Sequence, residues 1–327
     1  MSVMALTTKG ISYAVEDDIP AEAVARDLRA IREELHCTTV MLLSGDVSAL
    51  RSATRQALEL GLDVYVRPYL PDRPRSELLA HLATTAAMAE ELRAAHPGRV
   101  TLLVGSEFSL TQRGMLPGPR LFVRVQVLVR WRRYFDRRIR RKLKPLLAAA
   151  LATARGAFGG PVTYAAGFWE EVDWSGFDVV GVNLYRIGSD HAAYEARLRE
   201  LRGRHPDKPL VITEFGCGAH AGAELRGPGS FLIVNWFREP PRVREGHVRD
   251  EGTQAGYLGE LIGLYEAAGV DGCFVYTFWS PEFTHDPLDP RRDLDMAGFG
   301  VVKIPAEGGG WERKQAFEEV ARRYANP

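Results

Sequence analysis

Two glutamates stand where short apolar runs end. Glu107 follows Val100–Gly105 and Ser106, and Glu214 follows Leu210–Thr213. A carboxylate at the end of a run that reads as a buried strand is costly to desolvate without a partner. One explanation is structural: an ion pair with an arginine, for which Arg67 at the end of Leu62–Pro68 is available. The other is chemical. Two carboxyl groups about 5–5.5 Å apart can divide acid and nucleophile roles at an acetal carbon, one protonated to donate to the leaving oxygen and one ionised to attack. A carboxylate also stabilises the positive charge that builds at that carbon before it bonds.

Other reactive residue types are scattered more widely. Cys217 lies three residues after Glu214, with His220 the nearest base in sequence. A thiol nucleophile needs such a base, and a small buried thiol is the competing reading. His285, Asp286, Asp289, Asp293 and Asp295 crowd one loop without the ligand spacing of a known metal motif, and Asp293 reads better as an arginine partner. Glu170 and Glu171, adjacent in a loop after the fifth strand, could be substrate contacts, but two such neighbours read better as solvated charges. Phe168, Trp169, Tyr185, Trp236, Phe278 and Trp279 could line a sugar pocket, although most aromatic residues in such a chain belong to its core. Asn183 reads equally as a hydrogen-bonding site residue and as a strand-end tie for a loop.

The elements that must position these residues follow from the apolar runs. Parallel strands covered on both faces are near-continuous hydrophobic stretches. Eight are found: Ile11–Tyr13, Val40–Leu43, Leu62–Pro68, Val100–Gly105, Pro161–Ala166, Phe177–Leu184, Leu210–Thr213 and Gly272–Phe278. Helical patterns separate them over Ala21–His36, Ser48–Gly61, Ser76–His96, Ala193–Arg204 and Gln254–Ala268, with Trp311–Tyr324 last. A long, mostly helical insertion after the fourth strand spans Leu121–Phe158. Eight strand–helix units with no second domain left over predict an α/β fold, a single (β/α)8 TIM barrel over residues 1–327. An open doubly wound sheet is disfavoured, because Gly45-Asp46-Val47 is no phosphate loop. Barrel chemistry sits at the C-terminal ends of strands, and the ends of strands four and seven face each other across the mouth.

Composition sets the remaining bounds. Of 327 residues, 46% are hydrophobic and 26% charged, and 42 basic residues balance 42 acidic ones, so the overall field selects no partner. Three cysteines, an odd number without metal spacing, suit a reducing compartment. The first ten residues lack a basic region followed by an apolar one, and no run of about 18 apolar residues occurs, which together predict a cytoplasmic location. No cofactor motif is present.

The motifs also carry a resemblance. Ile212-Thr213-Glu214-Phe215-Gly216 resembles the nucleophile strand of the large barrel clan of retaining glycoside hydrolases that holds cellulases, β-galactosidases and β-glucuronidases. That resemblance implies Glu214 as nucleophile and Glu107 as acid/base. It further implies Tyr185, in Asn183-Leu184-Tyr185, as the tyrosine that bonds the nucleophile, and Trp279 as the floor of the sugar subsite. The clan has asparagine before the acid/base, where it contacts the sugar 2-hydroxyl; here the residue is Ser106, whose shorter hydroxyl reaches less far. Arg67, Trp169, Asn183 and Tyr13 complete the expected substrate lining. Over nearly the full chain, Lys9-Gly10-Ile11-Ser12-Tyr13, Ile212–Gly216 and Arg291-Arg292-Asp293-Leu294-Asp295-Met296 resemble an actinobacterial family labelled abortive infection protein, a label that implies no particular chemistry. Three functions follow as expectations: a retaining O-glycosidase, a non-hydrolytic enzyme working on a specialised metabolite with the same carboxylates, and a catalytically silent, defence-related binding protein.

One segment falls outside this scheme. Residues 124–144 carry Arg130, Arg132, Arg133, Arg137, Arg138, Arg140, Arg141 and Lys142, while Leu121, Val125, Leu128, Phe135, Ile139 and Leu143 recur at helical spacing. This predicts an amphipathic helix with a basic outer face, open to an anionic partner or solvated and paired with acidic neighbours. No nucleic-acid-binding motif accompanies it.

Overall fold

The computed structural model describes residues 6–16 and 19–325. Part of the N-terminal segment read for a leader, residues 1–5, lies outside them. The apolar runs form eight barrel strands: β1 (Thr8–Ala14), β2 (Thr39–Ser44), β3 (Asp63–Pro68), β4 (Val100–Ser106), β5 (Val162–Gly167), β6 (Val180–Asn183), β7 (Leu210–Phe215) and β8 (Gly272–Val275). Their hydrogen-bonded order follows the chain and closes on itself, with β1 paired to β8, so the fold is a closed (β/α)8 barrel. Side chains along these strands are buried on both faces, which is why the runs are continuous rather than alternating.

Chain contacts divide the molecule into two compact units. One comprises Ala14–Ala25 and Met41–Asn183 and holds β3 to β6 with most of β2. Its β4 pairs in parallel with β3 and β5, and β5 with β6. The other comprises Met1–Tyr13, Arg26–Val40 and Leu184–Pro327 and holds β7, β8 and most of β1, with β8 paired in parallel to both. Helices Glu251–Ala267 and Gln315–Ala325 pack together in this second unit.

Several expectations change. The link from β5 to β6 contains no helix, and β6 and β8 are shorter than their apolar runs. Phe177, Val179 and Phe278 are buried, yet they belong to loops, because burial alone does not require ladder pairing. The expected insertion is one helix, Leu121–Arg155, interrupted at Trp131 (φ −132°, ψ 21°). It packs on helix Arg75–Ala95 and on β4 and β5, so it is the ordinary β4–β5 crossover, extended at its start. Its buried stripe includes Leu128, Ile139 and Leu143 as expected, but Leu121 is exposed. Arg124, which opens the basic segment, is fully buried, with Nη2 3.0 Å from Asp72 Oδ2. Among the described residues, no helix is long and apolar enough to cross a membrane.

Candidate active site

The β7 strand runs two residues past its expected end, through Glu214 to Phe215. The Tyr185 hydroxyl, just beyond β6, donates to Glu214 Oε1 at 2.5 Å. The Leu184 N–H donates to the Glu214 carbonyl at 3.0 Å, which fixes the two segments in register. Tyr185 is itself held edge-on by Phe299, whose ring also meets Tyr276 at 5.9 Å. Gly216 completes the motif for a steric reason: a Cβ there would sit 2.5 Å from the Tyr276 carbonyl oxygen, so only glycine lets the end of β8 close against β7.

Glu107 is the first residue after β4, and its backbone is left-handed (φ 42°, ψ 51°). That conformation costs a residue with a Cβ of order 1–2 kcal/mol and is concentrated at functional sites. Gly105 allows the turn to form, since the Phe108 ring lies where its Cβ would be, 2.3 Å away. The Asn183 side-chain nitrogen donates to Glu107 Oε1 at 3.0 Å and lies 3.3 Å from Ser106 Oγ. Asn183 is 1% exposed and Ser106 is buried, so the pair Ser106–Asn183 forms the wall directly behind one carboxylate oxygen.

A second layer supports this turn, and it includes a residue that the sequence reading set aside. Glu170 is no solvated loop charge. Its carboxylate accepts from the Tyr164 hydroxyl (2.8 Å), the Gly167 N–H (3.0 Å) and the Ser109 N–H (2.9 Å). The Phe108 N–H, next to Glu107, donates to the Tyr164 hydroxyl at 2.6 Å. Burial pushes the Glu170 carboxyl above its usual range, against the pull of these donors. Its neighbour Glu171 does fit the solvated reading, pairing with exposed Arg140 at 3.1 Å.

The remaining expected residues divide. Trp169 lies over Gly167 and donates from Nε1 to Ser109 Oγ at 2.8 Å, so it braces the Glu107 turn. Arg67 is buried in β3. Trp279 is partly exposed, four residues beyond β8, with its ring 6.0 Å from that of Tyr13. Tyr13 is fully buried, and its hydroxyl donates to Asp27 Oδ2 at 2.9 Å.

The cysteine and metal ideas find no support. Cys217 is fully buried, which raises its thiol pKa, and both ring nitrogens of His220 face backbone carbonyls, of Ala221 and Ser230. Asp293 and Asp295 both bind Arg249 at 2.9 Å, with Lys314 on Asp295 and His285 on Asp293. Among the described residues no cluster of three or more His, Cys, Asp or Glu is arranged to hold a metal ion. Trp236 packs edge-on against Phe283 in a small apolar cluster.

No known protein family matches the chain, and no curated protein sequence does, so the likeness to abortive infection proteins is unsupported. Solved structures that the chain resembles in fold include glycoside hydrolases. A GH113 β-1,4-mannanase aligns over 98% of this chain and 100% of its own, at 16% identity and a TM-score of 0.66. A β-glucosidase aligns over 97% and 98%, at 12% identity and 0.60. Bacteroides uniformis β-glucuronidase aligns over 97% of this chain at 14% identity and 0.58, and this chain spans 35% of its length. At these identities the likeness is one of fold: the chain is a barrel of the architecture that glycosidases use.

Proposed function

We propose that this protein is a glycosidase that cleaves an O-glycosidic bond by double displacement with retention, working as a single barrel domain in the cytoplasm on a carbohydrate or a small glycoside. The observation that carries this reading is the short hydrogen bond from Tyr185 to Glu214. That donor orients the Glu214 carboxylate, the group that attacks the anomeric carbon in such a mechanism.

In the first step the other Glu214 oxygen bonds to the anomeric carbon as the C–O bond to the leaving group breaks. Glu107 transfers its proton to the departing oxygen, and a covalent glycosyl ester remains on Glu214. In the second step Glu107, now a carboxylate, takes a proton from water as that water attacks the anomeric carbon and frees Glu214. Asn183 holds the Glu107 carboxyl by Oε1. Trp279 offers an apolar face for the sugar ring.

A panel of 2-deoxy-2-fluoroglycosides with activated leaving groups tests this. The expected result is time-dependent inactivation, with one fluorosugar mass added to the peptide that contains Glu214. Adduct formation on another residue, or turnover with inverted configuration, sinks the assignment. The non-hydrolytic alternative draws support from Ser106, which stands where the clan carries asparagine. It predicts product release without uptake of oxygen from labelled water.

A further inference from the structure

Helix Leu121–Arg155 leaves six consecutive residues, 129–134, exposed. Val129 is 72% exposed, Trp131 60% and Tyr134 82%. Leaving such side chains in water forgoes their burial, and here they are grouped rather than scattered. They alternate with Arg130, Arg132 and Arg133, and the helix continues through Arg137, Arg138, Arg140, Arg141, Lys142 and Lys144, with Asp136 the one acid between residues 121 and 144. The pairing with acidic neighbours that a solvated face predicts is almost absent. Arg140–Glu171 is the one ion pair that this run makes within 4 Å among the described residues, while exposed Arg138 and Lys142 donate to the Gly114 carbonyl.

The segment is also anchored. Fully buried Arg124 locks the helix start to Asp72, and the Asp72 N–H donates to the Thr111 carbonyl, so the loops after β3 and β4 and the first helical turns form one tied body. The break at Trp131 falls just after this anchor and resets the helical phase there. The exposed stretch therefore extends from a fixed base.

We propose that the exposed face of residues 129–144 is a docking surface for an anionic lipid bilayer. Trp131 and Tyr134 place amphipathic rings at headgroup depth, Val129 enters the acyl boundary, and the arginines reach lipid phosphates with their stems lying along the apolar layer. Basic side chains near an anionic leaflet are attracted over about one Debye length. The chain as a whole has a formal net charge of zero, so the residues outside this strongly basic stretch are net acidic and the attraction is local to this helix. A nucleic-acid duplex would satisfy the arginines but offers no apolar layer for Val129 and Tyr134. The helix lies along the surface and does not span it.

The test is co-sedimentation of the full chain with vesicles of phosphatidylcholine alone or mixed with phosphatidylglycerol. Binding is expected on the anionic vesicles, and about tenfold or more weaker on neutral ones or at about 1 M salt, where screening acts within about 3 Å. Arg132→Glu/Arg133→Glu/Arg137→Glu changes only exposed side chains and should abolish binding with an unchanged far-UV spectrum. Trp131→Ala/Tyr134→Ala should weaken it about tenfold while keeping the salt dependence, as expected where rings contribute alongside charge. Binding by a DNA or RNA duplex but not by vesicles, equal binding to both vesicle types, or wild-type binding by the charge-reversal variant each overturns the proposal. The readout is independent of glycosidase activity, so it stands or falls separately.

Discussion

Asn183, at the last position of β6, donates to Glu107, the first residue after β4, at 3.0 Å. Both lie in the same compact unit, and the bond is made from a side chain that is 1% exposed. Where the clan that the motifs resemble carries asparagine, this chain has Ser106, which is itself within 3.3 Å of this amide. An amide from β6 thus stands next to the carboxyl where an amide from β4 would be expected.

Asn183→Ala should therefore weaken catalysis more than folding. A hydrogen bond to a charged group contributes about 1.5–3 kcal/mol. Lost from the transition state, that corresponds to a fall in kcat/KM of roughly ten- to a hundredfold, mainly in kcat. Asn183→Asp should be worse, because a second carboxyl competes for the same proton. Steady-state kinetics on one activated and one natural-type leaving group measure both. An Asn183→Ala enzyme with unchanged kcat would remove Asn183 from the acid/base machinery.

Strain at Glu107 predicts a difference between two variants that both remove its carboxyl. Glu107→Ala keeps a Cβ at φ 42°, whereas Glu107→Gly relaxes the backbone. Glycine should be the more stable of the two by about 1–2 kcal/mol, in spite of its usual entropic cost, because a left-handed residue is favoured only without a Cβ. Denaturant melts of both proteins give the number. Equal stability, or a more stable alanine variant, would show that the turn stores no strain.

Asp72 sets an acid limit on stability. The hydrogen bond from buried Arg124 is the largest influence on its carboxyl and holds it below the usual range. A depressed folded-state pKa contributes stability at pH values above the unfolded one, near about 4, and loses it as pH falls through the folded one. Asp72→Asn should cost about 3–5 kcal/mol near neutrality, since Arg124 is left buried without its counter-charge. Below about pH 4 the gap to wild type should close progressively. A gap that stays constant down to about pH 2 would mean that the pair does not carry this linkage.

What the sequence revealed, and what it hid, follows from the range of the interactions. Strands such as Val100–Ser106 were legible because burial on both faces leaves a local record. The bonding of Tyr185 to Glu214 was anticipated from short motifs, and the structure has it at 2.5 Å. Glu170 was misread because nothing nearby in sequence separates it from Glu171. Its donors Tyr164 and Ser109 are brought to it by β5 and by the turn after β4. Arg124 was passed over as the mere start of a basic segment, although it stands three and four residues before buried Val127 and Leu128, the spacing of one helix face. That periodicity was the available signal; its partner, Asp72, lies 52 residues earlier and was not.

The division of labour between the two glutamates gives the final prediction. With Glu107 as acid/base, Glu107→Ala loses the proton donor but keeps the nucleophile. Substrates whose leaving groups depart without a proton, such as dinitrophenyl glycosides, should still form the glycosyl ester on Glu214, while poor leaving groups should slow by a further hundredfold or so, within the range of general acid catalysis. The ester then waits on a water that no longer has a base. Azide needs none, so adding it should restore turnover of the activated substrate and yield the glycosyl azide with retained configuration. Glu214→Ala differs at each point: both substrate classes fail, and azide can enter only from the face that Glu214 vacates, giving the inverted product. A Tyr185→Phe variant, which removes the donor to Glu214 Oε1, should fall between them, slow on both substrates and unresponsive to azide, because it weakens the nucleophile and leaves the acid/base in place. Equal losses on both substrates for Glu107→Ala, with no azide product from any variant, would exclude double displacement through this pair.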